Sequence, residues 1–220
     1  MKQWNRIFKK HGRVFDKPDE DLIKAVSFLR KHKVKKILDL GCGTGRHVIY
    51  LSKLGFDVYG IDIAEEGIKI AREWLNGEGL SANLEVGSIY KKLPYKDNFF
   101  DAIVSTQTIH HERIENIRKA IGEVERVLKP GGLIFMTLRK RKFRKFYPKL
   151  TILEKYGKQK SRYMVLDART YVPTEGGEKG LIHYLFNKKL IRKEFKNFKI
   201  HDIWIDSVYR HYCFLGELRR

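Results

Sequence analysis

Ile37-Leu-Asp-Leu-Gly-Cys-Gly-Thr-Gly-Arg-His47 passes from an apolar run through an acid, Asp39, into three glycines at alternate positions, after which a helical pattern begins. Such a passage is a strand entering a tight turn that needs backbone freedom and lets a ligand lie against the main chain. Asp62 closes the next apolar run, Val58 to Ile63, where a second strand would present a carboxylate to a ribose. Together the two segments mark a nucleotide-type cofactor site in a strand–helix–strand unit.

The usual dinucleotide fingerprint, G-x-G-x-x-G, brings a helix N-terminus against a pyrophosphate. Here the spacing is G-x-G-x-G (Gly41, Gly43, Gly45), with Asp39 two residues ahead. A carboxylate at that place repels a pyrophosphate and attracts an ammonium or a sulfonium. S-adenosylmethionine carries both cations and no phosphate, so the electrostatics favour it over NAD. A phosphate-cradling P-loop is ruled out because no Lys-Ser/Thr pair follows the glycines.

Strands and helices alternate outward from this unit. Pro18 sits where a helix would start, and Leu22, Val26 and Leu29 recur at helical spacing. The pattern then predicts helices over 45–54, 65–76 and 114–128, and strands over 57–62, 84–87, 99–105 and 133–138. A helix at 188–195 and strands at 198–206 and 210–218, joined by a two- or three-residue turn, complete the series. Such alternation argues for a doubly wound parallel sheet.

Four of these segments, in this order, resemble the motifs of the class I S-adenosylmethionine-dependent methyltransferases, in the branch called type 11 or UbiE-like. Leu38-Asp-Leu-Gly-Cys-Gly-Thr-Gly45 is similar to the first motif and Val58-Tyr-Gly-Ile-Asp-Ile63 to the acidic end of the second strand. Phe99-Phe-Asp-Ala-Ile-Val-Ser105 is similar to the fourth strand, and Arg126-Val-Leu-Lys-Pro-Gly-Gly132 to the turn into the fifth. The resemblance implies an α/β, Rossmann-like, seven-stranded sheet closed by a C-terminal antiparallel hairpin, with a basic insertion after the fifth strand. It divides a single domain, 1–220, into an N-terminal helical cap (1–35), a cofactor-binding core (36–138), a substrate-side insertion (139–182) and a C-terminal helix and hairpin (183–220).

Charge and resemblance together set Asp39 and the backbone of Gly41, Cys42, Gly43 and Gly45 against the methionine part and ribose of the cofactor. Asp62 is expected to accept from the ribose hydroxyls and Ile63 to pack on the adenine. The family usually has Gly-Asp after its third strand; here Gly87-Ser88 stands there, with Ser88 as acceptor and Ile89 as an apolar wall. Gln107, just past the fourth strand, is expected at the cofactor's edge. In-line positioning and exclusion of water supply most of the acceleration in methyl transfer. A general base is needed only when the nucleophile is protonated. His110 and His111 are the candidates, since imidazole titrates near neutrality; capping or packing of the next helix is the competing expectation. Arg139, Tyr171, His183 and Tyr184 are candidate acceptor contacts, the last two with packing at the C-terminal helix as their alternative. Cys42 and Cys213 make neither a disulfide framework nor a metal cluster, and no metal is expected.

The chain has 220 residues, enough for one three-layer core, and a net charge of +20 from 46 basic and 26 acidic residues. That surplus suits polyanions or anionic metabolites, although charge-rich compositions also serve stability at high temperature. From Arg139 to Arg162 there are eleven basic residues and one acid, interleaved with Phe143, Phe146, Tyr147 and Tyr156, a composition fit to bind phosphates and stack bases. Trp4, Phe8 and Phe15 lie among six basic residues of 1–17, placed either to cover the cofactor mouth or to dock on the sheet edge. Ile109-His-His111, Arg126 to Gly132, Val172-Pro173 and His183-Tyr-Leu-Phe186 are similar to stretches of tRNA wobble-uridine methyltransferases, with Thr174 where a tryptophan is expected. Ser105-Thr-Gln-Thr108 replaces the Asn/Asp-Pro-Pro-Tyr/Phe of many amino-group methyltransferases, and no Pro-Cys pair supplies a cytosine C5 nucleophile. A small-molecule acceptor leads, with an RNA base as alternative and a non-catalytic S-adenosylmethionine-binding protein as a third reading. No apolar run reaches membrane-span length and no signal peptide is visible, so a cytoplasmic location is expected. The sequence does not set the oligomeric state.

Overall fold

The computed structural model describes residues 2–141, 151–156 and 159–219, and the side chains of 3–141 and 162–219. In chain order α1 (Lys2–His11) and α2 (Glu20–Lys31) precede β1 (Lys36–Leu40), α3 (Arg46–Lys53), β2 (Asp57–Asp62), α4 (Glu65–Gly77), β3 (Asn83–Val86), β4 (Phe100–Ser105), α5 (Ile114–Val127) and β5 (Leu128–Arg139). Then come β6 (Thr151–Tyr156), β7 (Gln159–Val165), β8 (Thr170–Pro173), β9 (His183–Tyr184), α6 (Lys188–Glu194), β10 (Phe198–Ile205) and β11 (His211–Leu218). Seven of the strands make one sheet in the order β10-β11-β5-β4-β1-β2-β3. Pairing is parallel from β3 to β5 and antiparallel at β5–β11–β10.

Side chains of a strand alternate between faces, and both faces of this sheet are covered. Leu38, Leu40, Ile103 and Met136 join Ile117 and Val124 of α5 and Ile191 of α6 in one apolar core. Ile37, Val104 and Phe135, on the opposite face, join Leu22 of α2, Val48 of α3 and Ile68 of α4 in the other. The chain winds outward from β1 to β3, then returns to place β4 on the other side of β1. That reversal opens a crevice at the carboxyl ends of β1 and β4, where open α/β sheets take ligands.

Several boundaries differ from those the sequence suggests. Asp19, not Pro18, caps α2, its side chain accepting from the amides of Asp21 and Leu22. The β10–β11 connection runs over 206–210, longer than a tight hairpin turn, because Asp206 gathers the amides of Arg210 and His211 on one carboxylate oxygen. β11, last in the chain, lies inside the sheet between β5 and β10, and it is tied to α2 at the far end of the sequence. There Asp21 accepts from Trp204 Nε1 at 2.9 Å, and Cys213 Sγ lies 3.6 Å from its other oxygen.

The segment after β5 forms a second, antiparallel sheet in the order β6-β7-β8-β9. β9 pairs with β8, so His183 and Tyr184 belong to this sheet, and Tyr184 also joins Ile191 and Phe195 in one apolar core. Lys142, Phe143, Phe146 and Tyr147, and the side chain of Tyr156, lie outside the described residues. No helix among the described residues is long and apolar enough to cross a membrane.

Candidate active site

At the crevice, β1 gives way to a turn in which Gly41, Gly43 and Gly45 all have positive φ. A Cβ on Gly41 would overlap the Thr108 side chain, so this glycine lets the loop after β4 close on the turn. Gly45 serves a different end. Its Cβ would stand 2.8 Å from that of Ala71, so it lets α3 approach α4, and it does not line the cleft.

The cleft and the solvent at its open mouth together take up about 1020 Å³. Gly41, Cys42, Gly43, Asp62, Ile63, Ser88, Ile89 and Gln107, all expected from the sequence, line it. Asp62 Oδ2 accepts from the Gly43 amide at 2.9 Å and Oδ1 from the Ala64 amide at 2.8 Å, which leaves each oxygen a lone pair. Burial raises its pKa, while the amides of Ala64, Gly43 and Ile63 oppose the rise. Gln107 sits in the left-handed region (φ 56°), held there by its amide donating to Thr137 Oγ1 at 2.7 Å. A non-glycine residue in that region is backbone strain of the kind found at ligand sites.

Asp39 is placed otherwise than expected. It is 1% exposed and does not line the cleft. Neither of its oxygens has a hydrogen-bond partner among the described residues. Burial pushes its pKa up to about 7, against the pull of Arg46. His47 stands nearest, with Nδ1 at 3.8 Å. The Asp19 amide donates to His47 Nε2 at 3.2 Å, so in the neutral ring Nδ1 carries the proton and meets Thr106 Oγ1 at 3.2 Å. Burial holds His47 neutral. An under-compensated carboxylate beside a glycine turn, with a second carboxylate on the cleft wall, suits a cationic nucleoside and opposes a pyrophosphate. The residues therefore fit S-adenosylmethionine.

α1 roofs the cleft. Trp4 and Phe8 stack at 5.7 Å and, with Phe15, line it. The helix is held at both ends of the site, by Asn5 Oδ1 accepting from the Glu66 amide and by Gln3 Nε2 donating to the Gly177 carbonyl. Of the two expected placements for these aromatics, the structure has the one at the mouth.

The histidines split. His111 lines the cleft; His110 is 1% exposed and lies behind it. Burial drives both pKa values down, that of His111 to about 4, so both rings are neutral and weakly basic near neutrality. Behind them His183 stacks on Tyr171 at 4.7 Å, Arg139 Nε donates to the Tyr171 hydroxyl, and Arg139 also reaches His211 Nε2. His183, Tyr171 and Arg139 thus form a layer beneath the cleft wall rather than the wall itself. Tyr184, on the other face of β9, packs against Phe186 in the sheet core, away from the cleft. The sequence reading missed His47, Tyr90, Thr106, Thr108, Glu178 and Leu181 as site residues. For His47 and Thr108 the signal was adjacency to the glycine turn and to the end of β4. Glu178 and Leu181 come from a loop whose position depends on the second sheet, and no local signal marks them.

A methyltransferase-domain family model, type 11, matches residues 38–136. A sterol 24-C-methyltransferase of Gibberella zeae is 38% identical over 101 residues, 44% of this chain and 26% of that protein. A tRNA (carboxymethyluridine(34)-5-O)-methyltransferase of Arabidopsis thaliana is 39% identical over 103 residues, 46% of this chain and 23% of that protein. The chain thus spans about a quarter of the length of these curated relatives. The fold matches that of an S-adenosylmethionine-dependent methyltransferase from Clostridium acetobutylicum with a TM-score of 0.69 at 16% identity, over 100% of this chain and 99% of that one. Residues 38–136 thus match a type 11 methyltransferase domain, and the sheet order and glycine turn described above are those of the class I S-adenosylmethionine-dependent methyltransferase fold.

Proposed function

We propose that this protein transfers a methyl group from S-adenosylmethionine to a nucleophile on a small-molecule acceptor. The observation that carries the reading is the cleft itself: a glycine floor, Asp62 on its wall, buried Asp39 beside it, and a roof of Trp4 and Phe8. When bound, the cofactor supplies a methyl on a sulfonium, whose neutral thioether is a good leaving group. Asp62 holds the ribose hydroxyls, Ile63 and Ile89 flank the adenine, and Ser88 accepts at its edge. Asp39 supplies the negative potential that favours the cationic end. The roof excludes water, and His111, Tyr90 and Leu181 shape the space left for the acceptor. His111 is too weak a base near neutrality to deprotonate an ordinary amine or alcohol. Positioning therefore carries the acceleration, and the acceptor arrives as its own nucleophile.

An RNA nucleoside is the second reading, favoured by the +20 net charge and the basic run after β5. Incubation with labelled S-adenosylmethionine and a cell extract separates the two. Label in small metabolites supports the first, and nuclease-soluble label in RNA supports the second. No label in either, with cofactor binding retained, supports a binding protein without transfer.

A further inference from the structure

Three imidazoles, two buried and one half-buried, meet beside the cleft, and methyl transfer as proposed asks no chemistry of them. His110 and His111 end the loop after β4, and His183 arrives 72 positions later on β9. One ring nitrogen from each lies within 4.8 Å of the other two. The Nδ1 atom of His110 is buried and has no hydrogen-bond partner among the described residues, an arrangement that costs stability unless something engages it, while the His111 ring faces the carbonyls of Gln107 and Ile182. Glu178 Oε2 stands 3.5 Å from His183 Nε2. Glu178 is half-buried and lines the cleft, which sets its carboxylate at the mouth of the trio.

We propose that His110, His111 and His183 form a binding site for a divalent transition metal of the zinc or cobalt type, with the Glu178 carboxylate as an oxygen donor at the fourth position. Three imidazole nitrogens and one carboxylate suit zinc, whereas magnesium and calcium ask for oxygen throughout. Tetrahedral zinc with bonds of about 2.0–2.1 Å sets its ligand nitrogens roughly 3.3 Å apart, so the trio needs a contraction of up to about 1.5 Å, within the reach of side-chain rotations. His183 is oriented from outside the trio by the stacked Tyr171. His211 is not part of the set, because Asp206 and Arg139 already engage its two nitrogens. Arg139 is the opposing charge in the neighbourhood, and the Glu178 carboxylate offsets it. Since His111 and Glu178 both face the cleft, the fourth position opens to whatever enters there. An acceptor with an oxygen, nitrogen or sulfur donor would displace Glu178 and bind the ion directly. That last step alone rests on the methyl-transfer reading.

The test uses the full chain, purified without a polyhistidine tag and treated with chelator, titrated with Co²⁺ and then with Zn²⁺ in the absence of cofactor. The expected result is one equivalent of Co²⁺ giving the visible absorption of a four-coordinate site, displaced by Zn²⁺. His183→Ala and His111→Gln should each weaken it by about 100-fold while far-UV circular dichroism is unchanged. The His111→Gln variant, at the cleft wall, keeps the test open if His183→Ala fails to fold. His201→Ala, which removes a partly exposed imidazole paired with Glu217 elsewhere, should leave binding intact. No saturable Co²⁺ uptake by the native protein overturns the proposal, as does uptake lost in His201→Ala and kept in His111→Gln. S-adenosylmethionine affinity, measured separately, shows whether the cofactor reading fails independently.

Discussion

Asp39 and Asp62 close adjacent strands of the same sheet, yet they stand in opposite circumstances. Asp62 is met by two backbone amides, whereas Asp39 is buried with no donor, and its pKa is about 7. An unfolded aspartate titrates near 3.8. Between those values the folded chain holds a proton that the unfolded chain has released, so this group makes stability fall as pH rises from about 4 to about 7. Above that window the penalty is constant and at most roughly 4 kcal/mol. Asp39→Asn should therefore raise the melting temperature of the cofactor-free protein at pH 8, have little effect at pH 4, and weaken S-adenosylmethionine binding. A gain equal at both pH values would show that the carboxylate is not the source. Asp62→Ala removes the acceptor for two amides as well as for the ribose, and calorimetry should record an affinity loss of about 10-fold or more. Unchanged affinity would move the cofactor elsewhere.

Elements from β1 to β4 were legible because each is short and bounded by glycine, acid or a polar turn, whereas β5 starts at Leu128 rather than at 133, since the 129–132 stretch read as a turn is an irregularity within its pairing to β4. The purpose of individual residues was less so. Gly45 reads as a ligand glycine, but Ala71 of α4, many positions away, decides its use. Gly45→Ala, at φ 89°, should cost about 1–3 kcal/mol in chemical denaturation. Ala71→Gly should recover the steric part of that loss and not the backbone part, a coupling that a double-mutant cycle reads directly. His183 was recognisable as a candidate acceptor contact, but its meeting with His110 and His111 depends on β8–β9 pairing, which no local pattern encodes. For α1 the aromatic spacing announced an apolar face without saying what it would cover. Because that face is the cleft roof, Phe8→Ala should speed S-adenosylmethionine dissociation roughly 10-fold in stopped-flow measurements. A larger effect on global stability than on dissociation would make α1 a structural brace instead.

Across the whole molecule the surplus of 20 positive charges acts on itself before it acts on any partner. Self-repulsion in a compact body is relieved by screening, and the Debye length falls from about 30 Å at 0.01 M salt to about 8 Å at 0.15 M. The melting temperature should therefore rise between those salt concentrations, whatever the acceptor. Affinity for RNA, under the second reading, should fall over the same range with a slope set by the number of phosphates engaged. Opposite signs in the two titrations would separate intrinsic charge from recognition.

The place of β11 bears on how the chain is made. A ribosome delivers the parallel strands first, and β5 then waits as an open edge, its row of amides and carbonyls able to recruit any extended neighbour. Only when residues 211–218 emerge does β11 slide in beside it, carrying β10 outward and bringing Trp204 and Cys213 to Asp21 near the chain's beginning. Loss of residues 211–218 would thus deliver not a trimmed protein but one whose sheet carries an adhesive flank at β5.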